Sequence, residues 1–352
     1  MKILVLNWGV AAEYSWQHTL FEEMVHLGCE FTIISAKKAW APRGGRIYPQ
    51  EEEFVGIKYL RLYDDISHFK GNLKNDVDFI IDMIAEKFDV VWSFHQANWI
   101  IGREFAAKLK AKHVVTCEQA FRTSGLQAGH ITDRWKEIMA ETSLIISWAP
   151  QDAKHEKEIG VKYLPFGGCF KDIETKWVGY GDKKTKPFAI YQGSLSPNFK
   201  NQDAMVDDIG WILESNIVEK FVINGYPLTE KSKQILKTLK SQWGERFEYS
   251  MLIGRELVMD SLKGALFGYS PMKPSILSNF PYEAFGIGVP MYMPYIVNAA
   301  DYIITEKEEL LKTIKDRRTY VQKITKAKAY YDATHSVEMM GQNYYNAIGA
   351  IL

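Results

Sequence analysis

Apolar positions along this chain fall into short β-type runs separated by longer stretches of helical period. Lys2-Ile3-Leu4-Val5-Leu6-Asn7 is a strand ending in Trp8-Gly9. The pattern predicts a helix over about Ser15 to Leu27, stopped by Gly28, and a second strand from Glu30 to Ser35. A strand–helix–strand unit of this kind opens a parallel, doubly wound sheet. A polar loop from Lys37 to Glu53 precedes strand-like Ile57 to Leu62, and a helix is expected around Asn72 to Lys87. Further strands are expected at Asp89 to Phe94, Lys112 to Cys117 and Leu144 to Ser147, with helices at about Asn98 to Lys110 and Thr132 to Glu141. Lys162 to Gly168 is the exit from this half, and 171–186, polar and rich in lysine without periodicity, is expected to be a linker or surface loop.

The alternation then restarts. Strands are predicted at Phe188 to Gln192, Lys220 to Ile223, Glu248 to Leu252, Ala265 to Tyr269 and Met291 to Met293. Helices are predicted at Asn201 to Glu214, Glu230 to Gln242, Arg255 to Lys263, Tyr282 to Ile287, Glu306 to Lys328 and Val337 to Ile348. The fold class is α/β, with two Rossmann-like domains facing a cleft. The expected bounds are 1–168 for an N-terminal domain, 169–186 for the linker, 187–330 for a C-terminal domain, and 331–352 for a terminal helix packing back on the first domain. Open parallel sheets bind ligands beyond the carboxyl ends of their strands. That rule singles out Gly9, His95, Glu118, Gly193, Asn224 and Tyr269, each of which follows or closes a strand.

Lysine plus arginine equals aspartate plus glutamate at 43 each, which argues against a protein whose whole surface is a nucleic-acid footprint. Cys29, Cys117 and Cys169 lie far apart, so neither a disulfide framework nor a zinc site is expected. With a strand starting at residue 2 and no apolar run near ~20 residues, the chain reads as cytoplasmic, without a transmembrane segment.

Two windows carry chemistry. In Tyr191-Gln192-Gly193-Ser194-Leu195-Ser196-Pro197-Asn198-Phe199-Lys200-Asn201 a glycine ends a strand and a lysine precedes a helix. Backbone at Gly193 can approach a ligand closely, and Lys200 with the helix amides can neutralise phosphate. The same residues also fit an ordinary strand–loop–helix corner with a solvated lysine. In the second window Glu283 sits at the start of a short helix, where a carboxylate faces amides favourably and accepts both hydroxyls of a ribose diol. A helix-capping glutamate beside a packing glycine is the plainer alternative. Asp76-Val77-Asp78 has the look of a metal-binding pair but falls on a predicted surface helix. His95 fits either a core hydrogen bond or a ligand contact.

Together, Gly193-Ser194-Leu195…Lys200-Asn201 and Glu283-Ala284-Phe285-Gly286-Ile287-Gly288-Val289-Pro290 resemble the donor-binding signature of retaining GT-B glycosyltransferases of the glycogen-synthase-like group, family four. Lys162 to Gly167 and Phe221-Val222-Ile223-Asn224-Gly225 echo the same map. The resemblance implies a glycosyltransferase taking a sugar from a nucleotide-diphosphate sugar, a UDP-sugar being the expected donor, with retention, no cofactor and no metal. It implies that Lys200 stabilises the leaving diphosphate and that Glu283, with Ala284 and Phe285 beside it, lies at the nucleotide ribose. Asn224 and Gly225 would lie near the donor, with Tyr269 at the same strand ends. Glu118 or His95 would orient the sugar or acceptor hydroxyl, and Gly9 would let the first loop approach the phosphate. Two departures stand out. Ser194 replaces the arginine that usually accompanies the lysine, leaving Lys273 or Arg255 to substitute, and Ser275 stands where the family has a first glutamate.

Leu262 to Lys273 is also similar to a stretch of the T-even phage α-glucosyltransferases, which act on hydroxymethylcytosine in DNA. The basic loop Lys37 to Arg46, with Trp40, is able to touch phosphates or to be plain solvated surface. The acceptor is therefore expected to be a glycan, lipid-linked or small molecule, or hydroxymethylated DNA. A nucleotide-sugar-binding shell without turnover and a sugar-nucleotide epimerase are the alternatives.

Overall fold

A computed structural model describes the chain except for 8–15, 39–46, 65–74, 95–97, 118–139, 149–159, 166, 168–177, 194, 196–201, 226, 228, 251–254, 272–278 and 297–298, and except for the side chains of 202–203 and 255–256. It divides into two compact units, Met1–Phe170 with Val337–Leu352, and Lys171–Ser336.

The first unit is built on an eight-stranded sheet. In chain order its elements are β1 (Lys2–Leu6), α1 (Trp16–His26), β2 (Glu30–Ala36), β3 (Glu51–Phe54), β4 (Ile57–Tyr63), α2 (Val77–Ile84), β5 (Val90–Ser93), α3 (Trp99–Leu109), β6 (Lys112–Cys117), β7 (Leu144–Ser147) and β8 (Lys162–Tyr163). The strand order is β3-β4-β2-β1-β5-β6-β7-β8, parallel throughout except for β3. β1 and β5 run side by side with Leu6 opposite Ser93. They are the pair at which the winding reverses, and Gly9 and His95 follow them in sequence.

The near-continuous apolar runs of these strands suit a sheet covered on both faces. One face packs Leu4, Leu6, Ile34 and Val91 against Val77, Ile80, Phe105 and Ala106 of α2 and α3. Trp16, Phe21, Trp92, Phe94 and Trp148 form a second, aromatic cluster with ring centroids 4.9–5.9 Å apart.

The second unit holds α4 (Tyr180–Lys183), β9 (Phe188–Gln192), α5 (Gln202–Glu214), β10 (Lys220–Asn224), α6 (Glu230–Trp243), β11 (Phe247–Ser250), α7 (Arg255–Gly264), β12 (Phe267–Tyr269), α8 (Phe280–Gly286), β13 (Met291–Tyr292), α9 (Lys307–Lys315) and α10 (Arg317–Thr334). Its sheet is all parallel in the order β11-β10-β9-β12-β13. The reversal falls between β9 and β12. The core gathers Ala189 and Tyr191 of β9, Phe221 and Ile223 of β10, Met205 and Ile209 of α5, and Ile235 and Leu239 of α6. The chain ends in α11 (Val337–Gly349), which belongs to the first unit and lies along α1. Gly341 permits that approach, because a Cβ there would stand 2.3 Å from the Glu23 side chain.

Four local expectations need correction. The polar loop expected to run to Glu53 contains β3, an antiparallel edge strand that puts Glu52 opposite Tyr59. Buried Arg61 holds it, pairing with Glu52 at 2.5 Å and donating to the Pro49 carbonyl at 3.1 Å. Charge on an edge strand also discourages further pairing. The helix expected to Lys87 stops at Ile84, because Ala85 takes a left-handed conformation (φ 49°) and caps it. The helix expected from Glu306 to Lys328 is two, since Asp316 is extended and its carboxylate accepts from the Arg318 and Thr319 amides, ending α9 and starting α10. Within 171–186, read as polar surface, Lys183 is buried and donates from Nζ to the Gly288 carbonyl at 3.1 Å. The helix expected at Thr132 to Glu141 lies mostly outside the described residues.

Candidate functional site

At the carboxyl end of the second sheet, β9 stops because Gly193 leaves the strand at φ 131°, a region glycine enters readily. Its amide donates to the Asn224 carbonyl at 3.0 Å, and the Gly225 amide donates in turn to the Ser250 carbonyl at 3.0 Å. A Cβ on Gly225 would lie 2.1 Å from the Gly193 oxygen, so only glycine lets the two strand ends run this close. The turn is anchored from α6, whose N-cap Thr229 accepts from the Ser232 amide while Ser232 Oγ donates to the Leu195 carbonyl at 2.9 Å. Asn224 is fixed on both sides: Ser250 Oγ donates to its Oδ1 at 2.5 Å, and its Nδ2 donates to Ser261 Oγ at 3.1 Å.

Glu283 sits in the first turn of α8, where Pro281 favours the helical start. It is buried at 4% exposure, and its Oε2 accepts from Gln192 Nε2 at 2.9 Å. The carboxylate therefore belongs beside the end of β9, at the reversal of strand order. Behind it, the Ile287 amide donates to the Glu283 carbonyl at 3.2 Å and Gly288 carries Lys183. Burial lowers the Lys183 ammonium to about 7.

The other expected residues divide into two groups. Gly193, Asn224, Gly225 and Glu283 lie at adjacent strand and helix ends. Tyr269 is at a strand end too, but its side chain is wholly buried, and its hydroxyl donates to Asp208 Oδ2 at 2.6 Å. Burial pushes that phenol well above its usual range, with Asp208 adding to the effect. Strand alternation turns the ring toward α5, so as a ligand contact Tyr269 has only its backbone to offer. Ala284 and Phe285 are likewise core residues, Phe285 lying edge-on to Tyr302 at 5.4 Å. Arg255 begins α7, its side chain outside the described set. Gly9, His95, Glu118, Ser194, Lys200, Lys273 and Ser275 are outside the described residues.

Gln192 carried no role in the sequence reading. A polar residue closing an otherwise apolar strand, one position before a glycine, was the available signal. Asp76 and Asp78 are otherwise engaged: Asp76 accepts from the Tyr63 hydroxyl at 3.0 Å, and Asp78 pairs with Lys108 at 2.7 Å. Among the described residues no cluster of potential metal ligands occurs. Of the basic loop, Lys37 pairs with Asp64 at 3.4 Å, and 39–46 is outside the described residues. A groove of about 770 Å³ runs along β10 and β11 beside α7, lined by Lys220, Val222, Asn224, Glu248, Ser250 and Ser261 among others. Neither Gln192 nor Glu283 lines it.

The fold is shared with solved glycosyl-transferring proteins over nearly the whole length. A sucrose-phosphate synthase from Thermosynechococcus elongatus superposes with a TM-score of 0.73 at 12% identity, covering 99% of this chain and 100% of its own. HepE from Anabaena, solved with UDP and glucose, gives 0.66 at 15% identity, with coverage of 99% and 100%. The catalytic domain of starch synthase IV from Arabidopsis thaliana, bound to ADP and acarbose, gives 0.69 at 9% identity, with 99% of each chain covered. No protein-family model and no curated protein sequence matches the chain. The architecture is thus the GT-B fold of paired Rossmann-like domains. No helix among the described residues is long and apolar enough to cross a membrane.

Proposed function

We propose that this protein is a glycosyltransferase that moves a sugar from a nucleotide-diphosphate sugar, a UDP-sugar in the first instance, to an acceptor hydroxyl with retention at the anomeric carbon. The observation that carries the reading is the buried Glu283 carboxylate held by Gln192, the last residue of β9, at the carboxyl end of a parallel sheet where its strand order reverses. A carboxylate in that position accepts hydroxyl donors, as a ribose requires. The glycines that close β9 and β10 carry no side chain, so backbone is what the chain presents at those two strand ends. The UDP and ADP held by fold neighbours give the same direction for the ligand class.

In this scheme Lys200 takes up the charge that grows on the departing diphosphate, an effect strongest when the group is held in place beforehand. Lys273 or Arg255 supplies the second cation that Ser194 does not, and Ser275 leaves the sugar contacts different from the family pattern. Gly9 lets the first unit's loop approach the phosphate, and Glu118 or His95 orients the sugar or the acceptor hydroxyl. The acceptor is a glycan, lipid-linked or small molecule, or hydroxymethylated DNA.

The test is incubation with UDP-, ADP- and GDP-sugars, following donor loss and product mass, with hydroxymethylated duplex DNA among the acceptors. Lys200→Ala is expected to lower turnover on the order of a hundredfold, and Glu283→Gln to weaken nucleotide binding. Binding without donor cleavage under any acceptor would point instead to a nucleotide-sugar-binding shell. A changed sugar on intact nucleotide would point to an epimerase. Unchanged turnover in the Lys200 variant would remove that residue from the scheme.

A further inference from the structure

We propose that Gln192 is a specificity residue of this site: its amide holds the Glu283 carboxylate and sets a second acceptor beside it, so that the pair reads both hydroxyls of a ribose. The inference rests on the donor-site reading of Glu283 above.

The argument starts from the two ends of one amide. Gln192 closes β9 and is buried at 8% exposure. Its Nε2 donates to Glu283 Oε2 at 2.9 Å. That contact fixes which way the amide faces, since the reverse orientation would set a carbonyl oxygen against a carboxylate. The oxygen left over, Oε1, is buried and has no hydrogen-bond partner among the described residues. Leaving such an acceptor without a donor is unfavourable, and folded chains rarely carry one without a reason. A glutamine kept only to brace Glu283 would be expected to satisfy both ends of its amide.

The chemistry of the missing partner follows from the donor and acceptor inventory. An ionised Glu283 only accepts, and Gln192 Oε1 only accepts. Two neighbouring acceptors repel a phosphate and suit a group with two adjacent O–H donors. A vicinal diol is such a group, and a deoxyribose is not. The amide also orients the carboxylate before ligand arrives, which lowers the ordering cost of binding.

Calorimetric titration of the full chain with UDP, ADP and GDP, and with the 2′-deoxy and 3′-deoxy forms of whichever binds, tests this. The wild-type protein is expected to bind the ribonucleotide about tenfold more tightly than either deoxy form, a difference of about 1.4 kcal/mol. Gln192→Met and Gln192→Leu, with their folding checked by thermal melting, are expected to lose about tenfold for the ribonucleotide. They should remain within about twofold for the deoxy form that lacks the hydroxyl read by Gln192, so that the preference over that form collapses while the preference over the other persists. A residue that only braced the fold would weaken all three ligands alike and keep their ratio. Undiminished preference over both deoxy forms in a folded variant overturns the role of Gln192. Equal binding of ribo and deoxy ligands by the wild-type protein overturns it without any variant. A wild-type chain that binds none of the three diphosphates removes the donor reading itself, which is a separate and recognisable failure.

Discussion

Lys183 is an ammonium in a place that suits an amide. At 2% exposure it donates to the Gly288 carbonyl, and burial lowers it from an ordinary lysine value to about 7. The unfolded chain therefore keeps a proton between pH 7 and the usual lysine range that the folded chain has released. Stability consequently rises with pH across that window. Relative to Lys183→Met, which removes the titration, the wild-type protein should gain roughly 2 kcal/mol between pH 7 and pH 9. Urea melts of both proteins at the two pH values measure it, and parallel pH dependence would show that the lysine titrates normally. This residue was not legible in advance. A lysine in a Lys-rich stretch reads as solvated, and only the packing of α4 against the Gly288 turn buries it. Gln192 was hidden for the same reason, since a strand-end amide acquires meaning only when Glu283, far along the chain, arrives opposite. Gly193 and Gly225 were legible because a glycine closing an apolar strand has few other uses.

Helix boundaries show the same division at the next scale. The apolar spacing from Glu306 onward continues without interruption, and it predicts one helix. Asp316 breaks it by preferring the backbone amides ahead of it to a place in the helical ladder, which is what aspartate does wherever the chain allows a cap. Periodicity reports which face is buried and is blind to a cap in the middle. Asp316→Ala should therefore lower the melting midpoint, because the Arg318 and Thr319 amides lose their acceptor. No change in midpoint would mean that the break is set by packing and not by the cap. Strand β3 was missed because three consecutive glutamates do not alternate. Their partner Arg61 lies on the next strand, and its burial between Tyr59 and Glu52 cannot be read from spacing. The parallel strands, buried on both faces, were legible because their apolar runs are nearly continuous.

At the scale of the molecule, the alternation of strands and helices foretells two wound sheets, and the strand orders observed follow the rule that reverses winding at one pair in each. The sequence also predicts a terminal helix packing back on the first domain, and Val337–Leu352 does belong to the first unit, but alternation does not say which side chains join it there. Tyr344 of α11 is wholly buried; its hydroxyl accepts from Trp148 Nε1 at 2.8 Å and donates to the Pro165 carbonyl at 2.9 Å, and its ring lies 5.7 Å from that of Trp92. Three segments distant in sequence thus meet on one side chain contributed from beyond the second unit. Tyr344→Ala would open a cavity in that aromatic cluster and strand the indole N–H, a loss of about 3–5 kcal/mol by analogy with other large aromatic truncations. If α11 is energetically part of the first unit, amide exchange should rise in β5, β7 and α1 and leave β9, β10 and α6 near their wild-type protection, since cooperative opening follows contiguous packed units. Faster exchange concentrated in β9 and β10 would mean that the terminal helix supports the second unit's sheet instead, and the division of the chain at Lys171 and Ser336 would have no energetic counterpart.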